Sequence, residues 1–120
     1  IDHVVTHYHY GDIPLVVAEG GWQPKNNLPF RMTYLVNFEN ATAEYDLNAE
    51  DTLKLYREGE DPEIIPVGDE NGYDLQITEF MDSLKNGTEP PTATLASSLV
   101  SATIADAERE SIARECRVDL

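Results

Sequence analysis

Apolar and polar positions alternate with a period of two through the first half of the chain and with a period near 3.6 from Tyr73 onward. Asp2 to Tyr10 is rich in β-branched and aromatic residues and reads as a strand. Gly11-Asp12-Ile13-Pro14 reads as a turn. Leu15 to Trp22 reads as a second strand, weakened or bulged at Gly20-Gly21. Gln23 to Pro29 holds two prolines and two asparagines and reads as a loop. Phe30 to Phe38 has the cleanest alternation. Phe30, Met32, Tyr34, Val36 and Phe38 share one face, with Arg31, Thr33 and Asn37 on the other. Glu39-Asn40 is a two-residue hairpin signal, and Ala41 to Leu47 returns antiparallel. Thr52 to Arg57 and Glu63 to Val67 complete the run, and Pro66 marks the last as an edge.

The period then changes. Tyr73, Ile77, Phe80, Met81 and Leu84 form a stripe on a helix capped by Asn71 and closed by Asn86-Gly87. Thr88-Glu89-Pro90-Pro91 is a stiff connector. A second helix from Thr94 to Glu115 is expected to bury a broad face of small residues: Leu95, Leu99, Ala102, Ile104, Ala105 and Ile112. Val118 to Leu120 supplies a possible closing strand. Strands in a run followed by helices predict an α+β fold. The expected architecture is an open, mostly antiparallel sheet of about six or seven strands, with two helices on one face. The other face is left for solvent or a partner.

Charge changes this picture more than composition does. The chain has 120 residues, one domain's worth, and 41% are apolar, an ordinary share. Eight basic residues against 23 acidic ones give a formal charge of -15. A surface so acidic repels nucleic acid and anionic membrane, so neither is expected as a partner. No apolar run is long enough to span a bilayer. A single cysteine, Cys116, excludes an intrachain disulfide and fits a reducing, cytoplasmic setting. The chain opens at Ile1 in strand-like sequence without an initiator methionine, and is expected to be a piece of a longer protein.

Candidate chemistry is sparse. His3, His7 and His9 share one strand face, and His7-x-His9 is a spacing that can hold zinc or copper. However, His3 and His7 stand about 13 Å apart along a strand, too far to share one ion, and no metal site is assigned. Trp22, Lys25, Asn27 and Arg31 gather around one loop, where an aromatic ring beside amide and cationic groups suits a polar ligand such as a sugar. Trp22 packed into the sheet is the competing reading. Acidic pairs such as Glu58, Glu60 and Asp61 sit in solvated turns, with no apolar surroundings to raise a pKa. Cys116 has no positioned base, and the serines have no nucleophile-elbow context. Neither G-x-G-x-x-G nor G-x-x-x-x-G-K-[ST] occurs. No catalytic, cofactor-binding or metal residue is therefore named.

The order of features resembles a known family. It runs from Ala18-Glu19-Gly20-Gly21-Trp22 through Pro29-Phe30 to Ala41-Thr42-Ala43-Glu44-Tyr45-Asp46. Gly72-Tyr73 then leads to Glu79-Phe80-Met81-Asp82-Ser83-Leu84-Lys85-Asn86-Gly87, followed by Pro90-Pro91. Ser101 to Ser111 and a closing Arg117-Val118-Asp119-Leu120 complete it. This is similar to the C-terminal half of the glucose–fructose oxidoreductase, inositol dehydrogenase and MocA family of NAD(P)-dependent oxidoreductases. The resemblance covers nearly the whole chain and is best in its last third.

The resemblance implies a C-terminal substrate and oligomerisation domain over residues 1-120, with the Rossmann half absent. It implies NAD or NADP for the parent protein and no cofactor in this part. The parent's substrate would be a sugar, a polyol or a related molecule. The sheet's free face would pack against another subunit in a homo-oligomer. The family's catalytic Asp/His helix falls ahead of Ile1, so His3, His7 and His9 do not match it. The alternative, independent of the family, is an autonomous α+β module that binds a polar small ligand without catalysis.

Overall fold

The computed structural model describes residues 2–22, 27–68 and 70–120. Six strands precede two helices, so the fold is α+β. The strands are β1 (His3–Tyr10), β2 (Ile13–Gly21), β3 (Thr33–Asn37), β4 (Thr42–Asp46), β5 (Leu53–Tyr56) and β6 (Glu63–Ile64). The helices are α1 (Gly72–Asn86) and α2 (Leu95–Arg114).

The single sheet of six or seven strands is not formed. β1 and β2 make a two-stranded sheet, and β3-β4-β5-β6 make a four-stranded one. Among the described residues, no ladder joins β2 to β3. Val118 to Leu120 is not a strand. The chain divides into two compact units: Ile1–Val5 with Glu19–Asp69, and Thr6–Ala18 with Glu70–Leu120.

In the first unit, consecutive strands pair antiparallel with a register that follows the alternation. Tyr34 opposes Tyr45 and Val36 opposes Ala43. Ala43 then opposes Leu55, and Tyr45 opposes Leu53. Because side chains alternate across a strand, these six residues form one continuous apolar face. The opposite face carries Thr33, Leu35, Asn37, Thr42, Glu44, Lys54 and Tyr56. The tyrosine rings of Tyr34 and Tyr45 stack at 4.9 Å and 6°. The Tyr56 hydroxyl donates to the diagonal neighbour Glu44 at 2.6 Å on the polar face. Phe38 N–H donates to the Ala41 carbonyl at 2.8 Å, closing the two-residue hairpin over Glu39-Asn40. Leu47 N–H donates to the Met32 carbonyl at 3.0 Å, which carries the ladder beyond the strand's first residue.

The apolar face is only half covered. Ala43, Tyr45, Leu53 and Leu55 are half-buried, and Tyr34 and Val36 are exposed. The sole buried residue among those described is Ser83, and no buried apolar core exists among them.

The second unit holds both helices. Asn71 caps α1: its side-chain oxygen accepts from Tyr73 N–H at 2.9 Å and Asp74 N–H at 3.0 Å. Its amide reaches Asp74 Oδ2 at 2.6 Å, closing a box of the expected kind. Gly87 ends α1 with φ 65°, in the left-handed region that glycine enters at little cost. Thr94 caps α2 through Ser97 N–H at 3.0 Å. Glu115 closes α2 with φ 53°, an unusual conformation for a residue with a Cβ.

The α1 face differs from the sequence reading, and the α2 face agrees with it at Ile104 alone. The α1 stripe of Tyr73, Ile77, Phe80, Met81 and Leu84 is exposed, and the covered positions are Glu79 and Ser83. Glu79 accepts from the backbone and hydroxyl of Thr92 in the connector, which turns that side of α1 inward. On α2 the half-buried residues are Ile104, Ala107, Glu108 and Ser111, and Leu95 and Leu99 are exposed. Small residues occur around the whole helix, so its apolar pattern sets no rotation. A polar contact from β1 to Glu108 sets it instead.

Candidate functional site

The loop named from sequence is described at Trp22, Asn27 and Arg31. Trp22 stands just past the end of β2, where its N–H donates to the Asp2 carbonyl at 2.7 Å. This bond holds the backbone and leaves the indole 86% exposed, so Trp22 is not packed into the sheet. Lys25 lies outside the described residues. Asn27 is exposed and has φ 66°, a left-handed turn conformation that asparagine tolerates well. Arg31 is exposed just ahead of β3 and makes no salt bridge among the described residues. Neither cleft described below includes Trp22, Asn27 or Arg31.

The histidines separate. His3 Nε2 stands 3.3 Å from Glu19 Oε1 across the open end of the hairpin. His7 and His9 line a cleft of about 380 Å³ within the second unit. Among the described residues, no group of three or more His, Cys, Asp or Glu is placed to hold a metal ion. Cys116 is exposed and unpaired with another cysteine.

That cleft has three walls. Thr6 to Tyr10 form one wall, Ile104, Ala107, Glu108 and Ser111 of α2 form the second, and Arg117 to Leu120 form the third. Along β1, Val4, Thr6 and Tyr8 are the half-buried positions. This places the Tyr8 side chain opposite the odd-numbered histidines. The Tyr8 hydroxyl donates to Glu108 Oε1. That bond, burial and the carboxylate's charge together push the Tyr8 phenol up to about 12. The Tyr10 ring lies 6.1 Å from that of Tyr8 at 40°.

Two further polar contacts lie in the cleft. Ser111 Oγ donates to the Cys116 carbonyl at 2.7 Å, and Arg117 Nε donates to Asp119 Oδ1 at 2.7 Å. Sequence reasoning missed the Tyr8–Glu108 pair. The only signal was Tyr8's position on the face opposite three histidines.

A second, smaller concavity lies beside α1, lined by Gln76, Ile77, Phe80, Pro90, Ala93 and Ser98. Its polar anchor is Glu79, whose carboxyl is held below its ordinary range by the hydroxyl and backbone N–H of Thr92. No helix of the described residues is long and apolar enough to cross a membrane. In comparisons with known proteins, no family model, no curated protein and no solved structure matches the chain.

Proposed function

We propose that this chain is the C-terminal domain of an NAD(P)-dependent oxidoreductase acting on a sugar, polyol or related substrate. Its own tasks would be subunit contact through the open sheet face and one wall of the substrate site. The cofactor and the catalytic lysine would lie in a preceding Rossmann domain. The observation that carries this reading is the apolar sheet face: Tyr34, Val36, Ala43, Tyr45, Leu53 and Leu55 form a continuous surface that is at most half covered. A contiguous apolar surface of this kind suits a subunit contact. The order of elements, antiparallel strands and then two helices, agrees with the resemblance.

The substrate wall rests on Trp22, Lys25, Asn27 and Arg31. Trp22 offers a free indole face, and Arg31 a cation without a salt bridge among the described residues. The coding sequence ahead of Ile1 tests the reading. A G-x-G-x-x-G fingerprint and a Glu-Lys-Pro motif there would support it. A start codon immediately ahead of Ile1 would contradict it.

The exposed indole also favours a second reading, an autonomous module that binds a polar ligand at Trp22. Trp22 is the one tryptophan, so its fluorescence reports the loop directly. Under this reading, the isolated chain shows a saturable change with a simple sugar. A flat titration contradicts it.

A further inference from the structure

We infer that β3 is an edge strand that pairs with β3 of a second copy, antiparallel and in one register centred on Leu35. This contact is distinct from the sheet face discussed above. It is argued from the backbone and from charge.

β3 ends the four-stranded sheet, with β4 as its only ladder neighbour among the described residues. The two edges of that sheet differ. β6 is two residues long and flanked by Pro62 and Pro66, which blunts it against further pairing. β3 reads Thr-Tyr-Leu-Val-Asn, with no proline and no charge. An open edge of this composition is a template for another strand. Since only one edge is open, pairing through it closes after one addition and gives a dimer rather than a fibre.

The hydrogen-bond phase fixes which groups are available. Met32 accepts from Leu47, and Phe38 donates to Ala41, so even-numbered residues of β3 turn their backbone toward β4. Thr33, Leu35 and Asn37 therefore turn their N–H and C=O groups outward. A two-fold axis at Leu35 sets Leu35 against Leu35 of the second copy, and Thr33 against Asn37. All are outward-facing pairs, which gives about six interchain backbone bonds.

The side chains fit the same register. Tyr34 comes opposite Val36 of the second copy, an aromatic and β-branched pair, and Met32 opposite Phe38. One step further out, Arg31 comes opposite Glu39. Two copies of a chain with formal charge -15 repel each other. In this register, however, a charge-free strand meets itself and opposite charges meet at both ends. All of Met32, Tyr34, Leu35, Val36 and Phe38 are exposed and free to pair.

Cysteine cross-linking tests the register. In a Cys116→Ser background, Leu35→Cys should form a disulfide dimer under mild oxidation, because directly opposed Cα atoms lie about 5.5 Å apart in such a pair. Thr33→Cys and Asn37→Cys should each remain largely monomeric alone and cross-link when mixed. Leu35→Pro removes an outward donor without touching the β4 ladder. It should weaken the dimer about thirtyfold by sedimentation, since the two-fold axis removes two bonds. Arg31→Glu should weaken it roughly threefold, and Glu39→Arg in the same chain should restore it. No cross-link through Leu35→Cys, or equal self-cross-linking at all three positions, overturns the inference. So does a dimer that survives Leu35→Pro and is lost in Leu55→Glu, since it would belong to the sheet face.

Discussion

Tyr8 on β1 donates its phenolic hydrogen to Glu108 on α2, a contact between residues 100 positions apart. It fixes the rotation of a helix whose small side chains leave rotation open. Glu108→Gln should bring the Tyr8 phenol back from about 12 toward the ordinary tyrosine range, read by ultraviolet titration. The folded-state pKa is raised, so the bond's contribution is complete below the unfolded tyrosine pKa near 10. It is lost as pH rises through about 12. Tyr8→Phe should cost about 1 kcal/mol at neutral pH, a modest figure because the pair is only half-buried.

Glu79 behaves with the opposite sign. The Thr92 hydroxyl and N–H hold its carboxyl below the usual carboxylate range. A depressed folded-state pKa gives stability that is present above the unfolded value and lost as pH falls through the folded one. Thr92→Val removes the hydroxyl, so acid unfolding of that variant should begin from a lower plateau and show a shallower dependence on pH. An acid transition identical to that of the parent chain would contradict the assignment.

The two helix C-termini make a matched pair of tests. Gly87 and Glu115 both sit in the left-handed region, at φ 65° and 53°. Gly87→Ala should destabilise by about 1 kcal/mol, because a Cβ is strained there. Glu115→Gly should stabilise by a similar amount, about 1 kcal/mol, by removing that strain. Gly72→Ala, at the first position of α1 with open space around its Cβ, should be neutral or slightly stabilising. Denaturant midpoints decide all three.

Tyr34 and Tyr45 stack across the β3–β4 ladder at 4.9 Å. A double-mutant cycle with leucine at each position should show a coupling of about 0.5–1.5 kcal/mol. A coupling near zero would mean that the rings only share burial.

The sequence carried the local structure well and the assembly poorly. The cap at Asn71, the stop at Gly87 and the hairpin at Glu39-Asn40 follow from short-range rules. Those rules act within a few residues, where turn chemistry and alternation leave little choice. The continuity of the sheet was misread because alternation identifies strands without identifying neighbours. The strands fall into two sheets, β1-β2 and β3-β4-β5-β6.

The helix faces were misread for a related reason. The stripe from Tyr73 to Leu84 is a sound amphipathic pattern, yet Glu79 and Ser83 are the covered residues. A stripe states what a helix can bury, and polar contacts such as Glu79–Thr92 and Tyr8–Glu108 state what it does bury. Of the loop residues, Trp22, Asn27 and Arg31 are exposed.

The central proposal is that this chain is the C-terminal partner of a nicotinamide-binding domain in one oxidoreductase, with the chemistry outside residues 1–120 and the subunit contact within them. The most direct measurement is nicotinamide absorbance with the complete gene product, assayed with NAD+ and NADP+ against a panel of sugars and polyols. The account expects substrate-dependent reduction of one of the two cofactors by the complete product and none by the 120-residue chain alone. A complete product that binds neither cofactor, or that reduces neither with any sugar or polyol, would contradict it.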